Sequence, residues 1–161
     1  MGTTECMAPV DERRLTRPGD RAGTFKVAAV QAAPVYLDRE ATIAKGCRLI
    51  EEVAAHGASL AVFPETWVPG YPVWANADSR WNYTPAKRAY AELYRNAVDI
   101  PGPALAPLLD AARDNHVAVA MGVNERSTTG TLYNSIVFID SDGMLLGNGA
   151  EPQDLDPHVV T

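Results

Sequence analysis

The hydrophobic positions of this chain fall into short runs that alternate between two spacings. Phe25–Gln31 is a compact apolar run closed by Pro34, and it predicts a strand. A helical pattern follows, beginning after Asp38, which is a residue type that caps helices, and ending at Gly57; its apolar positions are Ile43, Cys47, Ile50 and Ala54. Ser59–Phe63 predicts the next strand. A strand, a helix and a strand at this spacing predict a βαβ unit with parallel strands and a right-handed crossover.

The second half of the chain predicts two more helices followed by antiparallel strands. Pro85 begins a helical pattern that runs to about Val98, and Ala104–Asn115 has an amphipathic pattern with one apolar face. Turn signals at residues 127–130 and 141–143 then separate the remaining strand patterns. The predicted strands are Val117–Val123, Leu132–Ile139 and the short run Met144–Leu146.

Three segments are predicted from these patterns. Residues 1–24 show no period and contain several Pro and Gly residues, which predicts a mobile, disordered leader. Residues 25–147 carry the folded α/β pattern. Residues 148–161 have two prolines and only acidic charge, so we expect an irregular tail, as if the sequence were truncated or diverted by a frameshift.

Composition and charge argue against nucleic acid and membranes as partners of the chain. A length of 161 residues suits one domain, and a net charge of −6 without a basic stripe argues against nucleic acid. No apolar run approaches the ~20 residues that span a bilayer, and no signal-peptide pattern opens the chain. Cys6 and Cys47 do not form a disulfide framework, which favours a reducing, cytoplasmic compartment.

The sequence gives no sign of a metal or cofactor site. The three histidines, His56, His116 and His158, are widely spaced, and no Cys/His cluster accompanies them. The glycines lack the spacing of dinucleotide and phosphate-binding loops. We therefore expect no metal and no cofactor.

A single carboxylate stands where the second strand pattern breaks. Glu65 follows Ser59–Phe63 after a single residue, Pro64, and precedes a segment rich in Pro and Gly. Catalytic groups of α/β proteins commonly lie on loops at the carboxyl ends of strands. Taken alone, such a carboxylate is more often a solvated surface group, so the neighbouring residues decide its interpretation.

Three blocks together resemble the amino-terminal half of the nitrilase family of carbon–nitrogen hydrolases. They are Lys26–Pro34, Phe63–Pro72, and Met121–Arg126 followed by Leu132–Ser135. The Pro-Gly-Tyr-Pro ending of the second block resembles the branch that hydrolyses nitriles and cyanide. The resemblance implies an α/β fold, an incomplete α-β-β-α sandwich of the nitrilase type, without a cofactor. It also implies a nitrile substrate and assembly into homo-oligomers through helical faces.

The family's chemistry, carried over by this resemblance, uses a glutamate base, a cysteine nucleophile and a lysine. Glu65 matches the base, which would deprotonate the thiol that attacks the nitrile carbon. The lysine, which stabilises the developing charge, is expected after Met144–Gly147, where this chain has Asn148–Glu151 instead. The family's cysteine would lie further on still. Cys47 shares a helical face with Ile43 and Ile50, so we expect it to be a core residue.

Several alternatives stay open at this stage. Trp67, Tyr71 and Trp74 either line an apolar nitrile pocket or pack the loop against the sheet, and Glu125 either lines the site or forms an exposed pair with Arg126. The chain is either part of a nitrile-hydrolysing enzyme or a truncated, non-catalytic remnant that acts through subunit association. Because only Glu65 of the catalytic set is present, we expect the chain to be inactive alone. A half-domain would also leave one sheet face uncovered, which predicts poor solubility.

Overall fold

The computed structural model describes residues 25–76 and 84–152, and the predicted leader lies outside these ranges. The described chain is an α/β structure built from one sheet and three α-helices. Its strands are β1 (Val27–Ala29), β2 (Leu60–Val62), β3 (Ala118–Arg126), β4 (Leu132–Ile139) and β5 (Leu145–Pro152). Its α-helices are α1 (Arg39–Ala55), α2 (Thr84–Asn96) and α3 (Ala106–Asn115), with short 3-10 helices at Val73–Asn76 and Pro103–Leu105.

The sheet changes direction in its middle. The strand order is β1-β2-β3-β4-β5; β1, β2 and β3 are parallel, whereas β4 and β5 run antiparallel to their neighbours. The predicted βαβ unit and the hairpin between β3 and β4 are therefore both confirmed. Because β4 runs back from the hairpin, its first residues lie at the edge where β2 and β3 end.

Two strands extend beyond the predicted bounds. β3 continues through Arg126 rather than ending at Val123, since its last residues pair with β4. β5 continues to Pro152, so the irregular segment does not begin at Asn148 as predicted. The antiparallel ladder with β4 keeps this segment extended despite its Gly and Pro content, and Pro is tolerated on an edge strand. The rest of the predicted tail, 153–161, lies outside the described residues.

The hydrophobic core lies between the sheet and the pair α1 and α3. Asp38 caps α1 as predicted, since its side chain accepts a hydrogen bond of 2.9 Å from the Ala41 N–H. Ile50, Leu108 and Met121 are fully buried at the contact between the two helices and β3. None of the described helices is both long and apolar enough to cross a bilayer.

The opposite face of the sheet is apolar and exposed. Alternate strand residues point to opposite faces, and the set that points away from the core leaves large side chains in solvent. Phe138 is 45% exposed and Ile136 43%, whereas their neighbours Val137 and Ile139 are buried. Val27 and Val62 continue this exposed face across β1 and β2. We call the surface of Val27, Val62, Ile136 and Phe138 the open face.

Candidate active site

Glu65 lies at the apex of a bulge that leaves the sheet at the end of β2. The Phe63 N–H bonds Ala120 of β3 at 2.8 Å, and the Val68 N–H bonds Gly122 at 3.1 Å. The step of five residues from Phe63 to Val68 therefore lies against a step of only two residues in β3, so Pro64–Trp67 must arch out of the sheet. Glu65 thus lies just beyond the carboxyl end of a parallel strand, as predicted from the sequence.

Asn134 at the start of β4 holds the Glu65 carboxylate. Its side-chain N–H donates to Glu65 Oε1 at 2.6 Å, across 69 positions of sequence. Glu65 is otherwise exposed to solvent. Since β4 is antiparallel to β3, its first residues lie beside the end of β2, which explains how so distant a pair meets.

Glu125 makes the corresponding contact with the next residue of β4. Its Oε2 accepts a hydrogen bond of 2.6 Å from the Ser135 hydroxyl. Successive strand residues point to opposite faces of a sheet. Asn134 and Ser135 therefore hold the two glutamates on opposite faces. Arg126, which one of the two sequence alternatives paired with Glu125, binds Asp99 in a two-bond ion pair with distances of 2.7 and 3.0 Å. The structure does not bring Glu125 to Glu65.

The bulge passes directly over Gly122. A Cβ atom at this position would lie 2.3 Å from the Pro64 carbonyl oxygen and 2.7 Å from Glu65 Cα. The next bulge residue, Thr66, has a positive φ of 45° and is 1% exposed. Its hydroxyl has no hydrogen-bond partner among the described residues. The backbone that carries Glu65 is therefore tightly fitted and locally strained.

The aromatic residues of the loop have different environments. Trp67 is 2% exposed, packs against Phe63 with ring centroids 4.8 Å apart, and donates to the Ala32 carbonyl at 2.6 Å. It therefore packs the loop into the core. Tyr71 is 47% exposed, and Trp74 is half-buried with its ring edge against Tyr36. Of the three pocket candidates, Tyr71 and Trp74 have aromatic surface outside the core.

The sequence of this chain matches a known protein family over most of its length. A family model described as carbon-nitrogen hydrolase matches residues 26–151. The chain belongs to the carbon-nitrogen hydrolase family. Relatives of this chain include the nitrilase of Bacillus sp. (strain OxB-1), 44% identical over 126 residues, and an aliphatic nitrilase of Rhodococcus rhodochrous, 41% identical over 125 residues. Each alignment covers 76% of the chain but only 35% and 33% of the relative. The chain thus spans about a third of the length of these curated relatives.

Solved structures share the fold of this chain. An amidase from Nesterenkonia sp. matches with a TM-score of 0.53 and 18% identity, covering 82% of this chain and 44% of the amidase. A CN-hydrolase superfamily protein from Xanthomonas campestris matches with a TM-score of 0.57 and 20% identity, covering 79% and 40%. At such identities the likeness establishes the fold alone.

The one cysteine among the described residues lies away from Glu65. Cys47 is half-buried between α1 and α3, packed against the core as predicted, with its Sγ 3.4 Å from the Pro107 carbonyl oxygen. Burial raises the pKa of the Cys47 thiol, and the nearby Glu51 carboxylate raises it further. A thiol in that environment is a poor nucleophile. Within residues 25–76 and 84–152, no group of three His, Cys, Asp or Glu side chains could hold a metal ion.

Sequence reasoning missed Asn124 and Asn134 as site residues, although both lie in the blocks that carry the family resemblance. Asn124 is fully buried beneath the loop, and Asn134 binds Glu65. The sequence contained a signal for both residues, because each is polar inside an otherwise apolar strand pattern. The pattern does not indicate which distant segment each side-chain amide binds.

Proposed function

We propose that residues 25–152 form the base-bearing half of a nitrile-hydrolysing site, with Glu65 as the general base. The single observation that carries the proposal is the fixed carboxylate of Glu65, which lies at the end of a parallel strand and accepts a 2.6 Å hydrogen bond from Asn134. The 44% identity over 126 residues to a Bacillus sp. nitrilase supports a nitrile rather than an amide as substrate.

In the proposed reaction, the Glu65 carboxylate takes the proton of a cysteine thiol as its sulfur attacks the nitrile carbon. Glu65 returns that proton to the nitrile nitrogen, and two water molecules then hydrolyse the resulting thioimidate to the carboxylic acid, ammonia and the free thiol. Asn134 orients the carboxylate for the first proton transfer. We propose that the thiol, and a lysine ammonium that stabilises the developing charge, come from sequence outside this chain.

The environment of Cys47 supports the proposal that the chain is inactive alone. Its thiol lies between two helices on the core side of the sheet, whereas Glu65 bonds Asn134 on the opposite side. A base without a thiol within reach performs no hydrolysis. We therefore expect no turnover from these 161 residues by themselves.

The open face favours a second candidate function, association with other subunits. Exposed Ile136 and Phe138 lie on the same sheet face as Val62, and α1 and α3 pack on the opposite face. Sheets with such faces pack against a second layer. In this alternative the chain is non-catalytic and acts through that contact.

A chimera tests the assignment of the base. The aligned 126 residues of this chain would replace their counterparts in the Bacillus sp. nitrilase, which supplies the remaining sequence. Ammonia release from benzonitrile and phenylacetonitrile should then occur and should be lost in Glu65→Gln. Glu51→Gln, an exposed carboxylate of α1, is the matched control and should leave the rate unchanged.

Two results would count against the proposal. A chimera that keeps its rate with Glu65→Gln would remove Glu65 as the base. Ammonia release by the isolated 161-residue chain, abolished by the same substitution, would show that the chain is active alone.

A further inference from the structure

We propose that Asn124 is the positioning residue for Glu65: its buried side-chain amide ties down the turn after Glu65 and so aims the carboxylate. The inference rests on the proposed role of Glu65 as a base. It concerns a residue that would touch neither substrate nor nucleophile and would act only through the loop.

The Asn124 amide lies at the centre of three backbone carbonyls. Its Nδ2 is 3.0 Å from the Gly70 oxygen, 3.2 Å from the Val68 oxygen and 3.5 Å from the Thr66 oxygen. An amide nitrogen has two hydrogens, so the two shorter contacts are full hydrogen bonds and the third is shared. Since all three neighbours are acceptors, the amide nitrogen and not its oxygen must face the loop.

The main chain of Asn124 is held as firmly as its side chain. Its N–H donates to the Val68 carbonyl at 2.7 Å, and its carbonyl accepts from the Val98 N–H at 2.8 Å. Asn124 is 0% exposed and lies on β3, the middle strand of the sheet. The loop is therefore attached to the central strand of the sheet.

The loop needs such an attachment because its own conformation is unfavourable. Thr66 has φ 45° and Gly70 has φ 129°, so the backbone enters the left-handed region twice within five residues. A buried carbonyl without a donor is costly. With the side-chain amide removed, the Val68 carbonyl keeps the Asn124 N–H and the Thr66 carbonyl keeps the Gly70 N–H, but the Gly70 carbonyl loses its bond from Asn124. The loop then gains by turning that carbonyl outward to water, and Glu65 moves with it.

The direction of Glu65 is set from both sides of the bulge. Phe63 fixes the chain before Glu65 through Ala120, and the Asn124 clamp fixes it afterwards at Val68 and Gly70. Without the side-chain amide, backbone bonds still hold Val68 to Gly122 and to Asn124, but the Gly70 carbonyl loses its bond from Asn124 and the turn after Glu65 loosens. The short bond from Asn134 then becomes the main side-chain restraint on the carboxylate.

The test measures turnover in the chimera described above. Asn124→Leu removes both donors at similar volume, and we expect kcat to fall by about 100-fold with KM changed by less than about twofold, the loss typical of ~1 Å misplacement. Asn124→Asp replaces the two amide N–H donors by a carboxylate, which has no donor. When that carboxyl is protonated, its O–H supplies one donor again. Burial among carbonyls favours that protonated form.

The pH dependence of Asn124→Asp separates positioning from a general loss of structure. We expect its kcat, divided by that of the parent chimera, to rise by at least about tenfold as pH falls from 8.5 to 5.5. The same ratio should stay flat for Asn124→Leu. Asn115→Asp, which removes an amide bonded to Ala111 at the end of α3, is the matched control and should show neither effect.

A second measurement uses the 161-residue chain and needs no activity. The Gly70 N–H bonds the Thr66 carbonyl inside the loop, at 3.0 Å. In Asn124→Asp at pH 8 its hydrogen exchange should accelerate by about 100-fold, while amides of the β3–β4 ladder keep their rates. Equal acceleration of both sets would show a structural role only and would overturn the inference.

The outcomes distinguish this inference from the proposed function. If both Asn124 variants keep kcat within about threefold while Glu65→Gln is inactive, the clamp is refuted and the base stands. If Glu65→Gln is active, the proposed function fails and the inference fails with it. If Asn124→Leu does not fold, the pH ratio of Asn124→Asp and the Gly70 exchange rate decide the question.

Discussion

Gly122→Ala is the most direct test of how the sheet holds Glu65. The added Cβ would lie 2.3 Å from the Pro64 oxygen, 2.5 Å from the Thr66 nitrogen and 2.7 Å from Glu65 Cα. All three are backbone atoms, so no side-chain rotation relieves the overlap. Since such atoms normally approach to about 3.5 Å, the bulge must move outward by about 1 Å.

The expected cost follows from that displacement. Overpacking a fitted site costs about 1–3 kcal/mol. Weakening the bond from the Val68 N–H to the Gly122 carbonyl adds about 0.5–1.5 kcal/mol. Replacing a strand glycine by alanine returns about 0.5–1 kcal/mol through backbone entropy. We therefore expect the free energy of unfolding to fall by about 2 kcal/mol.

Urea unfolding of the 161-residue chain, followed by far-UV circular dichroism, measures this loss. Gly46→Ala is the matched control, because its Cβ would meet only side-chain ends, the closest being Trp67 Cζ3 at 3.2 Å. Alanine is also the better helix former by up to about 1 kcal/mol. That variant should stay within about 1 kcal/mol of the parent.

Activity gives the second readout for Gly122→Ala. In the Bacillus chimera, kcat should fall by about 100-fold, because the backbone that carries Glu65 has shifted. If Gly122→Ala matched Gly46→Ala in both stability and turnover, the close approach of the bulge to β3 would not position Glu65, and the reasoning would be wrong.

Three further predictions concern other parts of the chain. Thr66→Val keeps the shape of the side chain and removes a buried hydroxyl without a described partner, so thermal unfolding should show a gain of about 1 kcal/mol; a loss would reveal a bonded hydroxyl. The hydrogen bonds from Arg126 lower the pKa of Asp99, so the pair stabilises the protein at neutral pH and the contribution is lost as pH falls through the folded-state pKa. Asp99→Asn should thus lower stability at pH 7 by less than about 1 kcal/mol, since the carboxylate is largely exposed, with no difference from the parent near pH 2 in urea titrations. Finally, Ile136→Lys combined with Phe138→Lys should reduce light scattering by the concentrated chain at unchanged melting temperature; unchanged scattering would exclude the open face as the cause of association.

Local patterns predicted most of the fold. The helical spacing after Asp38 and the turn signals around β4 act over a few residues, so α1 and β4 were predicted almost to their ends. β5 was cut short because Gly, Asn and Pro in its sequence disfavour strands, and only its pairing with β4 keeps the segment extended. Tertiary pairing outweighed local preference there.

Of the candidate site, the sequence predicted the carboxylate but not the residues that hold it in place. Glu65 follows from a strand end and a recognisable block. Asn124 and Asn134 bind groups that are 54 to 69 positions away in sequence, and no periodicity encodes such partners. Trp67 was left undecided between pocket and core for the same reason, since its burial depends on α1.

Asn134 and Ser135 are consecutive residues of β4, and this has a consequence for the pairing register of β3 and β4. One binds Glu65 and the other Glu125, on opposite faces of the same strand. Pairing of Asn134 with Asn124 is set by the turn that begins at Ser127. A slip of one residue would turn Asn134 to the core side and present a hydroxyl to Glu65. The length of that distant turn is therefore as much a part of the site as any residue that touches the carboxylate.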